Sequence, residues 1–153
     1  MKTPHEIVAY LQGGDPLGFK TSALIQFVPF EIARPLLKDG CVASDWPAAK
    51  PLTEEAILGA MRSYMEFAWE KARDHRGLSA GRSIHKMQAW CWLLGNEGLV
   101  RLCDSNSLYP PYGAPILKAI CDRYGFPIPE DGRTNRMAAG LSCQDGCEEG
   151  CEG

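Results

Sequence analysis

A chain of 153 residues with 45 % apolar and 23 % charged side chains has enough material for one hydrophobic core and is too apolar for wholesale disorder. Its net charge of −3 is unevenly placed: Asp145, Glu148, Glu149 and Glu152 crowd residues 141–153 without a base, which leaves a near-neutral body and no broad field for a polyanion. The start has no apolar run of signal-peptide length and no stretch approaches the roughly 18 apolar residues of a membrane span, so a cytoplasmic setting without membrane contact is expected.

The opening words "TPHEIVAYLQGG" predict a short helix, with Thr3 as N-cap, Pro4 at the first helical position, Glu6 completing a capping box and two glycines as the stop. Ile7, Val8, Tyr10 and Leu11 would need a partner surface, because a helix this short is not stable alone. Next, "KTSALIQFVPFEIARPLLKDG" is apolar at Leu24, Ile25, Phe27, Val28, Ile32, Leu36 and Leu37 but interrupted by Pro29 and Pro35. Each proline removes a donor and clashes one turn back, which predicts two short helices or one sharply bent one. Residues 39–52, with Gly40, Pro47 and Pro51, read as a connecting loop.

The clearest element runs from Thr53 to Arg76. Ile57, Met61, Tyr64, Met65, Ala68, Trp69 and Ala72 form one helical stripe, acids open it, bases close it, and Gly77 stops it. A second long helix is expected from Ser79 to Leu94, ending at Gly95; its "AWCWLL" is apolar on every side and belongs deep in a core. The pair, joined by "GLS", makes a helical hairpin or corner. "NEGLVRLC" predicts a short helix capped by Asn96, "YPPYG" a rigid turn, and "GAPILKAICDRYGFP" a last helix with Gly125 as cap and Phe126 closing back. No segment has convincing strand alternation. The expected architecture is a single all-α domain of five to seven helices over residues 1–128, followed by an irregular acidic tail over 129–153.

Seven cysteines is an odd number, and Cys41, Cys91, Cys103 and Cys121 lie in or beside apolar segments, as small buried hydrophobes with reduced thiols do. The remaining three, Cys143, Cys147 and Cys151, stand at C-x3-C-x3-C spacing. Thiolates so spaced could hold zinc or iron, with a fourth ligand from His5, His75, His85 or Cys103. Against this, Gly146 and Gly150 work against a helix that would align the sulfurs, and the plainer reading is a solvated acidic tail with too few apolar residues to pack.

"GLSAGRS", Gly77 to Ser83, sets two glycines and an arginine at a helix start, where free amides attract anions; the glycine spacing and the missing lysine separate it from a Walker loop. The same joint can be read as a helix-turn-helix, with Arg82, Ser83, His85, Lys86 and Gln88 at the start of a recognition helix facing nucleic acid. Ser83 and Lys86 also spell S-x-x-K, but the companion motifs of serine acyl-enzymes are absent. No carboxylate pair stands out, so the chain leans away from enzyme chemistry and no cofactor is called for. Trp90 and Trp92 lie about 200° apart on one helix, so one of them, or Tyr109 and Tyr112 in the proline-rich turn, could serve as an exposed anchor for a protein partner. Full burial of these rings is the competing expectation.

"HRGLSAGRSIHKMQAWCWLLG" and "YGAPILKAICDRYGF" resemble small uncharacterised proteins encoded by bacteria and their phages, over a third to half of the chain and excluding the cysteine tail. The resemblance implies a bacterial or phage cytoplasmic setting and assigns no activity or functional residue. Taken together, these features point to a non-enzymatic interaction protein that covers a surface of a host protein. A DNA-binding regulator using residues 79–88 and a metal- or thiol-dependent protein using the terminal cysteines are the alternatives.

Overall fold

A computed structural model describes residues 1–14, 18–37, 40, 42, 44, 46–73, 78–104 and 113–129. Among these residues the chain is all-helical, with seven α-helices and no strand. None of the helices is long and apolar enough to cross a membrane. The terminal cysteines, His75, Gly77, Cys41, Tyr109, Tyr112 and the two prolines between those tyrosines lie outside the described residues.

Helix α1 spans Pro4–Gln12 and begins as its sequence requires. The Thr3 hydroxyl accepts from the Glu6 amide at 3.2 Å while the Glu6 carboxylate accepts from the Thr3 amide at 2.8 Å. That second bond holds the Glu6 carboxyl below its ordinary range. The proline-broken segment becomes α2 (Phe19–Leu24), a 3-10 turn over Ile25–Phe27, α3 (Phe30–Ala33) and a second 3-10 turn over Arg34–Leu36. Val28, forced out of helical geometry by the following Pro29, is extended at φ −115° and ψ 118°.

The two long helices are α4 (Glu54–Arg73) and α5 (Leu78–Leu93), followed by α6 (Glu97–Asp104) and α7 (Gly113–Tyr124). Thr53 caps α4 by accepting from the Ala56 amide. The stripe along α4 is buried at Ile57, Met61, Met65, Ala68, Trp69 and Ala72, with Tyr64 left half-buried at its edge. Helix α5 is the axis of the fold, packed by α2, α4, α6 and α7. Ile84, Met87, Ala89, Trp90, Cys91 and Leu93 are all buried, so the apolar run does lie in the core.

The end of α5 is fixed by a two-bond left-handed turn. Gly95, at φ +79°, donates to the Trp92 carbonyl and Asn96 donates to that of Cys91. Asn96 then caps α6, its side-chain oxygen accepting from the Leu99 amide at 3.0 Å, while its amide nitrogen donates to the Tyr124 hydroxyl at 3.2 Å. At the other face, Tyr10 of α1 stacks on Trp92 with centroids 4.3 Å apart, and the Lys2 amide donates to the Leu93 carbonyl, so the N-terminal helix is sealed onto α5.

Candidate functional site

Rings and cations meet on the face shared by α4, α5 and α2. Along α4, Tyr64, Phe67 and Lys71 recur at helical spacing on one side. Phe67 is 43 % exposed, its ring lies 5.2 Å from that of Tyr64, and the Lys71 ammonium sits 4.8 Å from the Phe67 centroid. From α5, the Lys86 ammonium lies 5.1 Å from the Tyr64 centroid, and Trp90 meets Tyr64 edge-on at 5.7 Å. Trp90 is itself held from behind, its indole N–H donating to the Ala23 carbonyl of α2 at 3.0 Å. The result is a stack that grades from a fixed core tryptophan, through a half-buried tyrosine, to an exposed phenylalanine with cations on its rings. Glu70, three residues on from Phe67, flanks that exposed ring on the side away from Tyr64.

A groove of about 240 Å³ opens beside this stack between α2 and α4. Its polar side chains are those of Ser22, Gln26, Lys50, Ser63 and Lys86 with the Tyr64 hydroxyl, and Trp90 and Ala60 add apolar wall. No carboxylate is among the described residues that line it. A larger pocket of about 470 Å³ sits where α4 and α6 begin and α5 and α7 end, bordered by Met1, Glu54, Asn96, Glu97, Arg123 and Tyr124. There the polar groups already serve the fold: Asn96 is the cap described above, and one arginine stands among two carboxylates. Burial raises the Tyr124 hydroxyl above its ordinary range, partly opposed by the Asn96 hydrogen bond.

The residues singled out on α5 for reading nucleic acid do not share one face. Ser83 and Gln88 are 1 % and 2 % exposed. Gln88 is spent internally, its amide nitrogen donating to the Val100 carbonyl at 2.9 Å and to Asp104 Oδ1 at 2.7 Å, so it ties α5 to α6 and presents nothing to a base edge. Its oxygen faces His85 Nδ1 at 3.0 Å. Since an amide oxygen only accepts, that ring nitrogen carries the proton. Ser83 meets the Tyr64 hydroxyl at 3.5 Å. What remains toward solvent is exposed Arg82, whose guanidinium lies 5.1 Å from the Phe19 ring, together with half-buried His85 and Lys86. The two tryptophans differ in exposure. Trp90 is 4 % exposed, and half-buried Trp92 is covered by Tyr10 and by the Lys2 ammonium 5.1 Å from its ring.

Burial determines the thiol chemistry. It pushes Cys91 up to about 12 and raises Cys103 and Cys121 as well, so all three thiols stay protonated at neutral pH. The Trp69 indole N–H, buried without a hydrogen-bond partner of good geometry, lies near enough to the Cys121 thiol to oppose its rise. Among the described residues no group of three or more His, Cys, Asp or Glu side chains is placed to hold a metal ion.

Phe67 is the residue that the sequence reading passed over. Helical periodicity sets it off the buried stripe, and a phenylalanine off the stripe between Glu66 and Ala68 is the signal that marks it. Comparison with protein-family models, with curated proteins and with solved structures yields no match.

Proposed function

We propose that this protein is a non-enzymatic interaction protein whose contact surface centres on Phe67. The observation that carries the reading is the exposure of that ring on a support that cannot yield: Tyr64 beneath it, Trp90 beneath Tyr64, and the Ala23 carbonyl behind Trp90. A rigid aromatic side chain backed by core loses little conformational entropy when covered, which is what an interface anchor needs. Lys71 and Lys86 on the flanking rings favour a partner with acidic groups around an apolar recess.

The test compares capture of a binding partner from the native host by the intact protein and by Phe67→Ser. Because Phe67 is outside the core, the variant keeps its fold, and loss of the captured partner is the expected result. A partner held equally by Phe67→Ser and lost on Leu102→Ser, at another exposed apolar position, would remove this surface from consideration.

A further inference from the structure

We infer that the groove between α2 and α4 is a binding site for a small oxyanion, a phosphate or carboxylate group, held between Lys50 and Lys86. The two lysines line one recess of about 240 Å³ that no described carboxylate shares. Two cationic side chains on one recess without a carboxylate leave it with an excess of positive charge, which an anion bound there would neutralise.

Both lysines are positioned by contacts that do not depend on a ligand. The Lys50 backbone amide donates to the Gln26 carbonyl at 2.8 Å, which pins the segment after Pro47 against the turn following α2. Lys86 is carried by the central helix, with its ammonium over the Tyr64 ring, and that ring is part of the groove wall. The two serine hydroxyls there are already committed as donors. The Ser22 hydroxyl donates to the Phe19 carbonyl at 3.0 Å, and that of Ser63 to Gly59 at 3.0 Å. Gln26 turns its amide nitrogen to the Ala23 carbonyl at 2.9 Å. The lysines therefore supply the groove's strong donors, and the site discriminates by charge. Trp90 and Tyr64 supply ring surface to the wall of the recess. The groove shares Lys86, Tyr64 and Trp90 with the proposed contact surface but not Phe67, which does not line it.

The experiment titrates inorganic phosphate into the full chain, with sodium chloride holding ionic strength constant, and follows backbone amide and tryptophan indole signals by NMR. The expected result is a saturable movement of the Trp90 indole and Lys50 amide signals while the Trp69 indole signal stays in place. Lys50→Gln, on the surface and remote from the core, should weaken binding several-fold, and the Lys50→Gln, Lys86→Gln pair at least tenfold, with the remaining spectrum confirming the fold. Phe67→Ala should bind phosphate as the parent does, so failure of the partner surface and failure of this site are told apart. No saturable movement, equal movement with chloride alone, or undiminished binding in the double variant would overturn the assignment.

Discussion

Trp69 and Trp90 are both buried side chains of the same size, yet their indole nitrogens meet opposite fates. Trp90 donates to the Ala23 carbonyl at 3.0 Å, whereas the Trp69 N–H has no partner of good geometry and only approaches the Cys121 thiol. Replacing either by phenylalanine removes the same atoms, so the difference between the two variants reports the hydrogen bond. Trp90→Phe should cost about 1 kcal/mol more than Trp69→Phe in urea unfolding, since a net hydrogen bond is worth roughly that and the Trp69 change also removes an unpaired donor. Equal costs would mean that the Ala23 carbonyl, which also accepts from Gln26, gains nothing from the indole. Single residues were also where the sequence was least legible. The polar character of Gln88 suggests a solvated helix face, and only the placement of α6 alongside α5 reveals that its amide is a buried link to Val100 and Asp104. Phe67 is the reverse case, an apolar letter that periodicity puts on the outside.

At the scale of elements, what was legible was punctuation. The Thr3–Glu6 box, the Asn96 cap and the glycines at 95 and 125 mark helix ends through short-range geometry that any context preserves, and all appear where the sequence set them. Pro29 and Pro35 broke their segment as local sterics demand, into short α and 3-10 turns. The pairing of α4 with α5 was legible from the short joint between them; which of the other helices cross was not, because an apolar stripe states that a partner exists without naming it. One close crossing can be probed directly. Gly113 opens α7 against the end of α4, and a Cβ there would stand 3.1 Å from the Ala72 Cβ, a buried atom with no freedom to move aside. Gly113→Ala should therefore destabilise by about 1–2 kcal/mol through overpacking. Gly59→Ala, in the middle of α4 with nothing within 4 Å, should stabilise by about 0.5–1 kcal/mol through helix propensity. Thermal melts of the two variants moving in the same direction would show that α7 does not meet α4 this closely.

Across the whole molecule, cations rest on rings. Eight lysine or arginine side chains of the described chain lie within 6 Å of an aromatic centroid, from Lys2 on Trp92 to Arg123 on Tyr124. A second global property follows from the core thiols. Cys91 and Cys103 have an ordinary value of 9.0 that burial raises, to about 12 for Cys91. In the folded chain they stay neutral while the unfolded chain releases their protons, so this stability is intact below pH 9 and is lost progressively as pH climbs toward 12. Unfolding free energies measured from pH 8 to 11 should fall, above about pH 9, by up to about 1.4 kcal/mol per pH unit for each thiol, and Cys91→Ala should flatten the decline. A free energy insensitive to pH over that interval would contradict the burial of these groups. Finally, Asn96 belongs to three helices at once: it completes the stop of α5, starts α6 and grips Tyr124 at the close of α7. None of those ends can fray alone without breaking a bond that the others rely on, so local opening at this corner is cooperative by construction, a knot of one side chain that makes three termini melt as a single unit.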